Sequence, residues 1–371
     1  MLIQRAYKTE LDPNQTQLKA LRNHCGAARF IYNWALATKK EEYEQSGKSS
    51  NSFALNKKLT ILKQTDRPWL YETCNQALQN AIRDLCKAYD NYFRRVKVKK
   101  GEKPGFPRFK SKYDDKKSFR VDRGIRVLDD RIQLPVIGTV RLKEKGYLPV
   151  DGIRIFSATV SSTGGRWFVS LQVEQEIDDR VAAGPVIGVD HGIKSLAVCS
   201  NGHVVENPRA LAAAERKLKR LQKSLSRKQK GSANRLKAKQ KVATQHYKIA
   251  CVRRTALHQA SSDIVYGHDP KVLVVEDLNV RGMMKNRHLA KALADASMAE
   301  LKRQLTYKVA WNGGELLTAD RFYPSSKTCS ACGAVKETLS LSERMYKCEV
   351  CGHEMDRDLN AAKNLAAYAA G

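Results

Sequence analysis

Val186-Ile187-Gly188-Val189-Asp190-His191-Gly192-Ile193-Lys194 is the stretch on which the reading of this chain turns. An apolar run ends on a carboxylate, as a buried strand would, and a Gly turn then leads into a second apolar strand, Ser195 to Cys199. Asn201-Gly202 is a strong hairpin signal and opens a third strand, His203 to Val205. Alternation places Asp190 on the face of Val186 and Gly188. An Asp after a buried strand is often only a turn residue, but the pattern recurs. Lys271-Val272-Leu273-Val274-Val275-Glu276-Asp277-Leu278 is again a near-continuous apolar strand, typical of a central position, and alternation sends Glu276 and Asp277 to opposite faces. A third acidic site, Asp356-Arg357-Asp358-Leu359-Asn360-Ala361-Ala362, runs into Ala-rich sequence up to Ala370. Asp358 or its neighbour therefore starts a helix, where capping is the ordinary reason for an Asp.

Two strand-end carboxylates and one helix-start carboxylate can converge at one edge of a sheet. Like charges at close range are tolerated when divalent metal bridges them, and Mg²⁺ takes such hard oxygen ligands while leaving positions open for phosphate. The charge balance names the substrate. The 371 residues carry 67 Lys+Arg against 38 Asp+Glu, a net charge of +29, which repels itself unless a polyanion neutralises it. A hydrophobic fraction of 42% and a charged fraction of 28% exclude a disordered polycation. No apolar run approaches the ~18 residues of a membrane helix, and the first twelve residues lack the apolar core of a secretory signal. Nucleic acid is thus the expected polyanion, a phosphodiester the expected substrate and no membrane partner is expected. Nine cysteines in a long chain without a signal point to a reducing cytoplasm.

Cys25, Cys74, Cys86, Cys199 and Cys251 are scattered and read as small buried hydrophobes. The other four form two knuckles, Cys329-Ser-Ala-Cys332-Gly and Cys348-Glu-Val-Cys351-Gly. Each CxxC turn aims two thiolates at one ion, and the Gly after it permits the turn's backbone. The spacing is that of a zinc ribbon with one closed, structural Zn²⁺; His353 and Glu354 lie beside it, but four sulfurs already complete the site.

Between the first two carboxylates, Arg209 to Arg254 holds sixteen Lys/Arg and one Glu. Leu211, Leu218, Leu221 and Leu225 recur at helical spacing, as do Leu236, Val242 and Ile249 beyond Lys230-Gly231-Ser232, so two amphipathic helices joined by a Gly turn are expected. Charge of one sign at this density makes a phosphate-binding face, with Lys217, Arg220, Lys223, Arg227 and Lys228 as candidate contacts. Asn279 to Arg287 reads as a loop, and a structural helix is expected over Ser297 to Trp311. In the N-terminal half, Met1 to Asp12 reads as a strand, with Leu2, Arg5, Tyr7 and Thr9 in imperfect alternation. Helical patterns cover Asn14 to Lys39 and Asn75 to Val96, with aromatics expected mainly in the core; Lys97 to Lys117 is a basic connector. Short strands follow at Arg131 to Leu134, Gly138 to Leu142, Arg154 to Thr159 and Arg166 to Val173, which suggests one β-barrel with the helices inserted in it.

Gly-Val-Asp-x-Gly, the strand ending Val-Glu-Asp-Leu, the run Phe322 to Gly333 and Asp-Arg-Asp-x-Asn-Ala-Ala-x-Asn together resemble the TnpB (OrfB) family of transposon-encoded, RNA-guided nucleases related to type V CRISPR effectors. The resemblance covers essentially the whole chain. It implies an α+β multidomain protein: a wedge β-barrel at 1–12 and 108–182, a helical recognition lobe at 13–107, a RuvC-like RNase H fold nuclease domain at 183–322 and 355–371, and a zinc-ribbon insertion at 323–354. Carried over by motif, the catalytic triad is Asp190, Glu276 and Asp358 with two Mg²⁺ ions, Asp358 being chosen over Asp356 by the pattern Asp-x-Asn-Ala-Ala. The family also implies a lid at 279–287, a guide RNA from the transposon end, and a double-stranded DNA target beside a short motif. Gln79 and Asn80 match the helix that approaches that motif, and such amides can pair adenine bidentately. A bacterial cytoplasmic protein, at the nucleoid when on DNA, is the expected setting. The rival readings are a guide-dependent DNA-binding regulator that does not cut, and a zinc-ribbon RNA-binding protein whose carboxylates only cap helices.

Overall fold

The computed structural model describes residues 1–98, 104–113, 117–340 and 342–370; the expected connector, Lys97 to Lys117, lies partly outside the described residues. The chain divides into two compact units, Met1–Ile177 and Asp178–Gly371. In the first, β1 (Leu2–Asp12) precedes α1 (Gln15–Ser46), α2 (Ser52–Thr65), a 3-10 turn (Pro68–Glu72) and α3 (Asn75–Val98). Then come β2 (Lys117–Val121), β3 (Arg126–Val127), β4 (Arg131–Leu134), β5 (Gly138–Leu142), β6 (Ile153–Thr163) and β7 (Arg166–Glu176). The seven strands make one antiparallel sheet in the order β2-β6-β7-β1-β5-β4-β3. The N-terminal strand is thus central, in register with β7 from Leu2↔Glu176 to Leu11↔Trp167, although its partners follow all three helices in sequence. Ile3, Tyr7, Thr9 and Leu11 of β1 are buried, whereas Leu2 is exposed.

The sheet shares its core with the helices through Leu11, Val121, Val160 and Leu171 against Leu21, Ile31, Leu78 and Leu85. Helix α1 begins in a reciprocal box: Asn14 Oδ1 accepts from the Gln17 N–H at 2.9 Å while the Asn14 N–H donates to Gln17 Oε1 at 3.1 Å. Its far end closes on Gly47, at φ +68°. Helix α2 was not expected from the sequence; the Asn51 cap at 2.9 Å and buried Leu55 and Leu59, four residues apart, account for it.

The second unit opens with β8 (Gly184–Asp190), β9 (Ser195–Cys199) and β10 (Val204–Glu206). A helical hairpin follows, α4 (Ala210–Ser226) and α5 (Ala233–Tyr266), then β11 (Pro270–Val275), the single-turn α6 (Val280–Met283), α7 (Ala290–Ala296), α8 (Met298–Trp311) and β12 (Glu315–Thr318). The short pair β13 (Met345–Lys347) and β14 (Glu354–Asp356) leads into α9 (Arg357–Ala367). The stretch 279–287, expected as a loop, carries the helical turn α6 because Asn279 Oδ1 caps it, accepting from the Gly282 N–H at 3.0 Å.

The sheet order is β10-β9-β8-β11-β12, antiparallel from β10 to β8 and parallel from β8 to β12. Its strands obey the period of two. Ile187, Val189, Leu273 and Val275 pack on one face against Leu257 and Ile264 of α5 and Leu301 and Leu305 of α8. Val186, Val272 and Val274 turn to the opposite face, with Leu365 of α9. That second face holds its helix very close. A Cβ built on Gly188 would lie 2.0 Å from the Ala362 carbonyl oxygen and 2.4 Å from the Ala366 nitrogen. Both obstacles are main chain, so Gly188→Ala must displace α9. The expected cost is roughly 1–3 kcal/mol or more, read by denaturant melting; an unchanged midpoint would contradict this packing.

Candidate active site and metal centre

Parallel register sets Val189 beside Val275, so the next positions, Asp190 and Glu276, stand side by side at the ends of adjacent strands. Both continue the face that carries α9, and Asp358 occupies the first turn of that helix. All three carboxylates are half-buried. Asp190 registers the encounter: burial, then the charges of Glu276 and Asp358, push its pKa up to about 8, with the Arg357 guanidinium opposing. Three hard-oxygen donors brought to one sheet edge, one of them raised first by burial and then by the charge of the other two, are the donor type that a divalent cation takes.

The surroundings assign the acidic residues to different tasks. Asp356 caps α9, its Oδ1 accepting from the Asp358 N–H at 2.9 Å and the Leu359 N–H at 3.1 Å. The capping role therefore falls on Asp356. Arg357 donates to Asp358 Oδ1 at 3.3 and 3.4 Å. Glu276 Oε1 accepts from the Ser325 hydroxyl at 2.5 Å, and its main-chain oxygen from Lys302 Nζ at 3.2 Å. Asp277 points elsewhere, to Arg321 Nη2 at 2.5 Å. His191, beside Asp190, is buried; burial and the Lys302 charge pull its pKa down to about 4, so the ring is neutral.

The shift at Asp190 carries a signed consequence. A carboxyl raised from 3.8 to about 8 stabilises the fold fully below the unfolded value, and that contribution is lost as pH rises through the folded one. In magnesium-free buffer Asp190→Asn should therefore match the wild-type midpoint near pH 4 and exceed it increasingly up to pH 8, by on the order of a few kcal/mol. Melting curves across that window check it; a difference independent of pH would refute the clustering.

The four knuckle cysteines form the candidate metal centre. Their sulfurs all lie within 4.8 Å of one another. Cys329 Sγ is 3.7 Å from Cys351 Sγ, and Cys332 Sγ is 3.6 Å from Cys348 Sγ. Thiolates ~2.3 Å from one zinc ion have sulfur–sulfur edges of about 3.8 Å, so the set fits. Main-chain N–H groups of Cys351 and Val350 hold the Cys348 thiol down at about 6 despite its burial. Of the five scattered cysteines, Cys25, Cys74 and Cys199 are buried and Cys86 and Cys251 partly so.

Two residues whose roles the sequence did not disclose tie this centre to the carboxylates. Asn360 and Asn364, buried one turn apart on α9, both donate to the Thr328 carbonyl, at 2.7 and 2.6 Å. Asn364 also donates to the Ser325 carbonyl at 2.7 Å, and Asn360 Oδ1 accepts from the Ser330 N–H at 2.9 Å. The signal was the i, i+4 spacing of two amides, which points to a common partner but does not name it.

The basic hairpin has the expected turn, with Gly231 at φ +87° and Ser232 capping α5. Lys217, Arg220, Lys223, Arg227 and Lys228 are all exposed. Leu236, expected on the apolar stripe, is 63% exposed; the inward positions are Ala238, Val242, Gln245 and Ile249, nearly opposite it on the helix. In the first unit Gln79 is half-buried, and Asn80 is only 1% exposed. Asn80 Nδ2 donates to the Arg120 carbonyl at 3.0 Å and its Oδ1 accepts from Arg83 and Arg120 at 3.2 and 3.3 Å. The Asn80 amide is thus engaged internally, as the holder of two guanidinium groups.

Comparison with known proteins places these features in context. A family model described as a probable transposase matches residues 158–287, and one described as a Cas12f1-like TNB domain matches 299–365. A model described as a helix-turn-helix domain matches residues 1–48, where the structure has β1 and the one long helix α1. A protein of Streptomyces pristinaespiralis provisionally named an RNA-guided DNA endonuclease is 35% identical, over 98% of this chain and 89% of its own. An Escherichia coli K12 protein with the same provisional name is 33% identical, over 98% and 91%. Among solved structures, the Cas12f1 chain of a cryo-EM complex with sgRNA and target DNA superposes with a TM-score of 0.62 at 14% identity, covering 98% of this chain and 99% of that one. At that identity the likeness speaks for the mixed α/β fold.

Proposed function

The chain belongs to the TnpB family, also called OrfB, and from that membership we propose that it is an RNA-guided DNA endonuclease. The carrying observation is the meeting of Asp190, Glu276 and Asp358 at one sheet edge, felt in the raised pKa of Asp190. In this reading residues 183–322 and 355–371 are a RuvC-like nuclease domain, 323–354 its zinc ribbon, 1–12 and 108–182 a wedge barrel, and 13–107 a recognition lobe. The sheet of three antiparallel strands continued by two parallel ones supports the first assignment, and the union of β1 with β2–β7 supports the third. Asp190, Glu276 and Asp358 would hold two Mg²⁺ ions, which when bound supply an activated water and neutralise the departing oxygen. Cys329, Cys332, Cys348 and Cys351 would hold one structural Zn²⁺.

The guide is RNA from the transposon end, and the target is duplex DNA beside a short motif. Pairing between guide and target strand supplies sequence choice, while the protein grips the backbone. The exposed cations Lys217, Arg220, Lys223, Arg227 and Lys228 suit phosphate contacts that position without reading sequence. Gln79 and the guanidinium groups held by Asn80 are the candidate readers of the motif.

The test is cleavage of a plasmid library with randomised flanks by the protein co-expressed with its transposon-end RNA. Linear product that needs both guide and Mg²⁺, and that disappears in Asp190→Ala, is the expected result. Target retained on the protein but never cut would favour the guide-dependent regulator instead.

A further inference from the structure

We infer that Ser325 is a positioning residue for the nuclease site: its hydroxyl fixes the Glu276 carboxylate for cation binding and ties it to the helix that carries Asp358. The inference rests on the proposed reading of Asp190, Glu276 and Asp358 as a cation-binding set. Ser325 is 3% exposed, and its Oγ donates to Glu276 Oε1 at 2.5 Å. A charge-assisted contact of that length selects one orientation of the carboxylate and leaves the second oxygen, Oε2, for a cation. The seryl residue is itself held. Its N–H donates to the Tyr323 carbonyl at 2.8 Å, and its carbonyl accepts from Asn364 Nδ2 at 2.7 Å.

Asn364 is 4% exposed and belongs to α9, six residues beyond Asp358. A buried line of hydrogen bonds therefore runs from Glu276 through Ser325 and Asn364 to the helix of the third carboxylate. The same Asn364 reaches the Thr328 carbonyl next to Cys329, so the first cysteine knuckle sits on the line as well. Two carboxylates donated by a strand end and a helix start are in this way kept at a constant separation by one loop. Ser325 needs no contact with substrate to do this.

The experiment titrates Mn²⁺, observed by its electron paramagnetic resonance, into the full chain and its variants without RNA or DNA. Removing an outer-shell partner of a metal ligand typically weakens binding about 10- to 100-fold. Ser325→Ala is expected to weaken Mn²⁺ binding by roughly ten-fold or more, with circular dichroism unchanged and with affinity largely restored in Ser325→Thr. If alanine unfolds the chain, Ser325→Cys keeps the volume but offers only a weak S–H donor, and the same loss is expected. Unchanged affinity in Ser325→Ala, or in Ser325→Cys where that variant replaces it, overturns the inference when Asp190→Ala does lose Mn²⁺. If Asp190→Ala also binds Mn²⁺ as the wild type does, the cation-site reading itself fails.

Discussion

Asp358→Ala is expected to abolish guide-dependent DNA cleavage, by at least on the order of a thousand-fold, while Asp356→Ala, two residues away, is expected to leave cleavage within about ten-fold of wild type. The contrast follows from how α9 begins. Asp356 spends its carboxylate on the N–H groups of Asp358 and Leu359, so its loss removes a cap worth about 1 kcal/mol. Asp358 is joined only loosely to Arg357 and adds its charge to Asp190. Melting temperature and cleavage rate, measured on both variants, separate the two tasks: Asp356→Ala moves the first and Asp358→Ala the second. If Asp356→Ala were the inactive one, the third carboxylate would have to be reassigned.

The second large effect concerns Cys348. Among the described residues, the apolar core of the knuckle region amounts to Cys329, Tyr346 and Cys348 with Ala334 packed against them. So small a core does not fold a segment of this length without a staple. A four-thiolate zinc site supplies folding free energy of about 10–16 kcal/mol in small peptides. Cys348→Ser is therefore expected to lose bound zinc and hydrogen-exchange protection across 323–356. Cleavage should fall with it, because Ser325 and Thr328, both held by α9, lie in the same loop. Full protection in the variant would show that the segment folds on its apolar contacts alone.

Much of this site could be read from residue order. The strands ending at Asp190 and Glu276 are legible because a continuous apolar run of that length can only be buried, and a carboxylate closing it marks where burial stops. The observed β9, Ser195–Cys199, coincides with the expected strand. The four cysteines are legible because their spacing encodes their geometry. Other features are tertiary and leave no local trace. Nothing around Gly188 announces that a helix some 170 residues later in sequence leaves no room for a methyl group there. Helix α2 escaped because its apolar positions are sparse, with two buried leucines in fourteen residues. The error at Leu236 was one of phase: a leucine looked more apolar than Ala238 two places on, yet the hairpin buries the alanine. Asn80 matched a recognition helix by sequence, but burial commits its amide to Arg83 and Arg120.

The location of α9 has a consequence for the cell that makes the protein. Asp190 leaves the ribosome 168 residues before Asp358. At about 5–20 residues per second, that is a delay of roughly 8–34 s. During it the nascent chain has at first one and, from Glu276 on, two of its three carboxylates, and no helix over Gly188. Any product truncated by a premature stop or a stalled ribosome before residue 358 lacks the third carboxylate. In the proposed reading, assembly order works as an arming sequence: only a molecule translated through α9 carries all three carboxylates of the nuclease site.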